Sequence, residues 1–98
     1  MIKVDLTKEN VITISGHANY DDKGKDIVCA SVSSIVITTI NAIIEINPDA
    51  IDYSDLDNEI IIRKLKEDEI VNKLLNNMIL LLENLEKDYK DYIKIIRR

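Results

Sequence analysis

Residues 27–44 read Ile-Val-Cys-Ala-Ser-Val-Ser-Ser-Ile-Val-Ile-Thr-Thr-Ile-Asn-Ala-Ile-Ile, eighteen positions without a charge. A segment like this restricts the fold more than any other, because most of its circumference must be hidden from water. It meets the length test for a membrane span. Six of its residues are Ser, Thr or Asn, no basic residue flanks its far end, and strand patterns lie on both sides. It therefore reads as a buried helix, starting near Asp26 and running to about Asn47, where Pro48 disfavours helical geometry in the residue before it. The spacing assigns Val32, Ile35, Val36, Thr39, Ile43 and Ile46 to the face against a sheet. Ser31, Ser34, Thr38, Asn41 and Glu45 form a second, polar stripe, and Ile37, Ile40 and Ile44 lie beyond the main apolar one. One sheet cannot cover a helix that is apolar on several sides. The expected second cover is another subunit, giving a homodimer.

The remaining segments supply the sheet. Ile2, Val4 and Leu6 alternate with polar residues, as do Ile12 and Ile14 beyond a turn at residues 7–10, so the chain opens with a β-hairpin. A second hairpin is expected from residues 51–53 and 59–65 across Ser54-Asp55-Leu56-Asp57-Asn58. In it Ile60-Ile61-Ile62 is apolar on both faces, as in a central or interface strand. A helix starting near Asp68 carries Val71, Leu74, Leu75, Met78, Leu81, Leu82 and Leu85 on one face, and residues 89–96 form a last strand. The order ββαββαβ predicts an α+β two-layer sandwich, two helices over an antiparallel sheet. Ninety-eight residues without a linker or repeat make one domain, 1–98.

A net charge of −5 argues against a protein that grips nucleic acid by its phosphates, since that needs clustered Lys and Arg, and Arg97-Arg98 is too small a cluster to reverse it. Asp49, Asp52, Asp55, Asp57 and Glu59 form an acidic stretch, readable as a solvated turn or as a surface for a basic partner. One cysteine excludes an internal disulfide, and Met1-Ile2-Lys3 begins in a strand pattern without a leader-like segment. The expectation is a cytoplasmic protein without membrane attachment.

All the reactive side chains fall between residues 15 and 33, which hold the only histidine, the only cysteine and both glycines. Gly16-His17 closes a strand pattern and Cys29 opens the long helix, twelve residues later. A thiol is a strong nucleophile only as thiolate, and a neighbouring imidazole can take its proton and stay beside it as imidazolium. The unpaired amides and dipole at a helix start favour the same ionisation. Asp26, a carboxylate three residues before Cys29, opposes it. Its expected role is to cap the helix, or alternatively to orient His17.

Gly16-His17-Ala18, Gly24, Asp26-Ile27-Val28-Cys29-Ala30 and Ser33 resemble the signature of the small bacterial ribosomal-processing cysteine proteases, the Prp family. The resemblance runs the length of the chain. It implies that Cys29 is the nucleophile and His17 the general base, with Gly16, Asp26 and Ser33 supporting them. It also implies a substrate, the N-terminal extension of the bacterial large-subunit ribosomal protein twenty-seven, and no cofactor. Ser31 departs from the Ala or Gly usual in the family, which could alter packing under the site.

Two other readings stand beside this one. A non-catalytic dimeric module binding ribosomal protein or assembly intermediates would have an inert Cys29. A metal site from His17, Cys29, Asp21 and Asp22 lacks the usual Cys and His pairs. Finally, the loop of Ala18, Asn19, Tyr20, Asp21, Asp22, Lys23, Gly24 and Lys25 has little apolar area to anchor it and joins base to nucleophile. It is expected to act as a mobile, substrate-ordered gate, with Tyr20 packing on the bound peptide.

Overall fold

The structure, a computed structural model, describes residues 1–22 and 25–97. The elements run β1 (Ile2–Asp5), β2 (Val11–Ser15), α1 (Ile27–Ile46), β3 (Ile51–Leu56), β4 (Glu59–Lys64), α2 (Glu69–Asp88) and β5 (Ile93–Ile96), in the expected ββαββαβ order. They form one five-stranded sheet, ordered β3-β4-β2-β1-β5, beneath two helices that pack on each other.

Three of the four pairings are antiparallel, as expected, but β5 lies parallel to β1. The sheet is therefore mixed. The cause is the path of the chain. A helix crossing over a sheet returns the chain in its starting direction, so α2 delivers β5 parallel to β4, and β4 already runs parallel to β1 across the intervening β2.

Register places Val4 beside Ile14, Ile14 beside Ile60, Ile12 beside Ile62 and Ile2 beside Ile93, so these side chains share one face. Ile2, Val4, Ile14, Ile62 and Ile93 are buried there. Against them α1 presents Val28, Val32, Val36, Ile40 and Ile43, and α2 presents Val71, Leu75, Met78 and Leu82. Two expectations for α1 change as a result. Ile40 belongs to the core, whereas Ile46, in the last turn, is 51% exposed. On α2 Leu81 sits at the edge of the apolar stripe and is 41% exposed. Hydroxyls on α1 are accommodated by bonding back into the helix: Ser31 Oγ donates to the Ile27 carbonyl and Thr39 Oγ1 to the Ile35 carbonyl.

The helix ends are capped as their sequences suggest. Asp26 accepts the Val28 and Cys29 N–H groups at the start of α1, and Asp68 accepts those of Ile70 and Val71 at the start of α2. Asn47, at the end of α1, donates its side-chain amide to Asp68 at 3.0 Å, tying one helix end to the other's beginning. The second hairpin is longer than expected. β3 continues to Leu56, and the turn shrinks to Asp57-Asn58, with Asp57 at φ 51°, a left-handed conformation that aspartate tolerates. The last strand is shorter, because the Tyr92 and Ile93 N–H groups bond the Tyr89 carbonyl and curl residues 89–92 into a turn.

Candidate active site

The site lies at the end of the sandwich where β2 stops and α1 begins. β2 delivers Gly16 and His17. Gly16 has φ +89°, and a Cβ on it would collide with the carbonyl oxygen of Met1, so only glycine fits where the chain leaves the strand. Its N–H donates to the Asn58 carbonyl at 3.0 Å, fastening this exit to the β3–β4 turn. His17 is exposed and Cys29, in the first turn of α1, is half-buried.

Two clefts meet at this pair. One, of about 320 Å³, has an apolar floor that includes Ile2, Ile14, Val32, Ile37 and Ile60, and a rim of Asp55, Asp57 and Glu59. The other, about 640 Å³, has Asn19, Asp21 and Asp26 among its lining residues. His17, Cys29, Ser33 and Asn58 border both. Ser33 stands one turn beyond Cys29 on the same side of α1. Such a double cleft suits an extended chain passing over the thiol, with an apolar side chain on one side and basic neighbours facing the carboxylate rim.

The acidic hairpin is the part of the site that residue-by-residue reading missed. Asp55 pairs with Ile60 in the register that turns both toward the helices, so the stretch read as a solvated turn or a surface for a basic partner forms one wall of the cleft. The available signal was Ile60 itself, an apolar residue among carboxylates.

Around Cys29 the backbone is tightly organised. Asp26 Oδ1 accepts from the Val28 and Cys29 amides, each at 3.0 Å, and Oδ2 accepts from the Tyr20 amide at 3.0 Å. The Cys29 N–H is the largest influence holding the Asp26 carboxyl below its ordinary range. Partial loss of solvent opposes it, and the Tyr20 and Asp21 amides and the Cys29 side chain add to the lowering. Asp26 thus caps the helix, the first of its two expected roles, and its oxygens serve amides and the Cys29 side chain rather than His17. The capping also engages first-turn amides that were expected to stand unpaired beside the thiol: those of Val28 and Cys29 are taken by the Asp26 side chain and that of Ala30 by its carbonyl. A different amide reaches the sulfur: Ala18 N–H donates to Cys29 Sγ at 3.4 Å.

The loop after His17 is better anchored than its composition suggests. Ala18 is 3% exposed. Tyr20 packs edge-on against Tyr89 and Tyr92, with ring centroids 5.5 and 4.9 Å apart. It is therefore engaged with the protein itself while staying 40% exposed. Asn19, at φ 56°, takes the left-handed turn between these two anchors. Of the remaining gate residues, Asp21, Asp22 and Lys25 are exposed, whereas Lys23 and Gly24 lie outside the described residues. Ser31 lines neither cleft but borders the groove between α1 and α2. Among the described residues, His17, Cys29, Asp21 and Asp22 do not gather into a metal-binding group.

The family model described as Cysteine protease Prp matches residues 1–94. The chain belongs to the Prp family of cysteine proteases. The ribosomal processing cysteine protease Prp of Staphylococcus aureus strain Mu50 is 32% identical over 104 aligned residues, covering 97% of each chain. That of Bacillus subtilis is 29% identical over 92, covering 84% of this chain and 80% of its own. The crystal structure of the essential ribosomal processing protease Prp from S. aureus with a covalently linked product peptide matches all of both chains with a TM-score of 0.92 at 26% identity. Its complex with a substrate peptide matches at 0.87 and 25%. Membership in the Prp family makes this chain a cysteine protease and removes the reading of a non-catalytic module.

Proposed function

We propose that this chain is an endopeptidase of ribosomal processing, cutting the N-terminal extension from the bacterial large-subunit ribosomal protein twenty-seven in the cytoplasm, with Cys29 as nucleophile and His17 as general base. The observation that carries the residue assignment is the meeting of both side chains at the junction of two clefts. The substrate class rests on the similarity to ribosomal processing proteases. A homodimer that covers the outer apolar residues of α1 belongs to the same proposal.

The chemistry follows from the groups present. His17 takes the Cys29 proton, and the thiolate adds to the scissile carbonyl carbon, forming the C–S bond while the carbonyl electron pair moves to oxygen. Collapse of the adduct breaks the C–N bond, and the imidazolium returns its proton to the leaving amine. Water, deprotonated by the same imidazole, then hydrolyses the thioester and restores the thiol. Asp26 stays ionised throughout, since its amide partners keep its carboxyl below the ordinary range.

Cys29→Ser and His17→Ala are each expected to lower cleavage of an extension-bearing ribosomal protein by at least about a thousandfold, without change in circular dichroism. Cleavage at near wild-type rate by either folded variant removes that residue from the mechanism. If the wild type cuts the extended protein no better than an unrelated peptide, the substrate assignment fails while the protease remains.

A further inference from the structure

Cys29 has a problem that its helix does not solve. Asp26, an ionised carboxylate beside it, opposes a second negative charge, and that same carboxylate occupies the first-turn amides of Val28 and Cys29. Among the described residues, the backbone N–H bonded to the sulfur is that of Ala18. A hydrogen bond to an ionised group is stronger than one to a neutral group, so this contact favours thiolate over thiol. Its value depends on where residues 18–20 are held.

What holds them is distant in sequence. The Tyr20 amide is fixed to Asp26 Oδ2, and the Tyr20 ring is packed edge-on against Tyr89 and Tyr92 at interplanar angles of 88° and 77°. Both partner rings come from the turn after α2, which is itself tied down: the Tyr89 N–H bonds the Leu85 carbonyl, and the Tyr92 carbonyl accepts the Ile2 N–H. Between Tyr20 and Ala18 stands only Asn19, in the left-handed conformation that reverses the chain toward the sulfur.

We infer that Tyr20, Tyr89 and Tyr92 are positioning residues, whose packing holds the Ala18 N–H on Cys29 Sγ and so raises the thiolate fraction of the nucleophile. The inference rests on the proposed role of Cys29 and touches no substrate contact. It gives the C-terminal turn, whose residues line neither cleft, a part in reactivity.

Alkylation of Cys29 by iodoacetamide, followed from mildly acidic to alkaline pH, tests this without a peptide substrate. Tyr89→Leu and Tyr92→Leu, combined in one protein, are expected to displace the pH–rate profile upward by about one unit and slow alkylation near neutrality about tenfold. The alkaline plateau should be unchanged, whereas mere loosening of the loop would raise the plateau by exposing the sulfur and leave the midpoint alone. Tyr20→Phe keeps the ring and should behave as wild type; Tyr20→Leu should match the double variant. In the unmodified protein, the Ala18 amide proton resonance should move downfield as Cys29 ionises, a reading that needs no variant to fold. A reactive wild-type thiol whose profile ignores the tyrosines, or an Ala18 resonance that ignores Cys29, overturns this inference alone. An inert wild-type thiol overturns the nucleophile assignment and this inference with it.

Discussion

Gly16 shows how much a single position can carry. With φ +89° and the Met1 carbonyl where a side chain would stand, it is the only residue type that lets the chain leave β2 here, just before His17 enters the clefts it shares with Cys29. Gly16→Ala forces both a strained backbone and a displaced N-terminal strand. The expected loss is about 1–3 kcal/mol of stability, together with a drop in kcat/KM. Thermal unfolding and peptide cleavage measure the two effects, and Ser15→Ala, one residue earlier, serves as a control expected to show neither. An unchanged Gly16→Ala protein would mean that Met1 moves aside freely and that His17 is not positioned through this contact.

Helix ends connect the site to the stability of the whole. Asp26 and Asp68 both have carboxyls held below the ordinary range, the first chiefly by the Cys29 amide and the second chiefly by the Asn47 side chain. Because folding lowers both values, their stabilising contribution is complete above the unfolded-state range, near pH 4, and is lost as pH falls through the lower folded values. Urea midpoints measured from about pH 7 down to pH 3 should therefore decline most steeply below about pH 4. Asp68→Asn should flatten that decline while retaining much of the cap, since asparagine accepts the same amides. An identical acid slope in this variant would show that Asp68 does not contribute to it.

At the scale of the molecule, α1 remains unevenly covered. Its sheet side is sealed, but Ile27 and Ile46 are each about half exposed, and a groove between the helices is lined by Ile27, Ile35, Leu81 and Leu85. Apolar surface of this kind on a small domain is costly in water. A two-fold dimer is the simplest closed arrangement that covers it. Sedimentation at micromolar concentration is expected to report a dimer, with Leu81→Lys shifting it toward monomer. A wild-type monomer at that concentration sinks the dimer but leaves the active site untouched, because both clefts are built within one chain.

The sequence by itself determined the element order, the Asp26 cap and most of the core stripe of α2, and it grouped Gly16, His17, Asp26 and Cys29 in one stretch. These depend on local periodicity and on residues that act within a turn of their own position. It could not determine that β5 runs parallel to β1, because strand direction is set by how α2 crosses the sheet. Nor could it place Ile40 inside and Ile46 outside, since α1 is apolar around most of its circumference and only its packing partners select a face. The carboxylate wall of Asp55, Asp57 and Glu59, the Ala18 N–H on the sulfur and the Tyr20–Tyr89–Tyr92 cluster join residues far apart along the chain. No periodicity encodes such meetings, and only the tertiary structure, by bringing a hairpin, a loop and a C-terminal turn around one thiol, decided them.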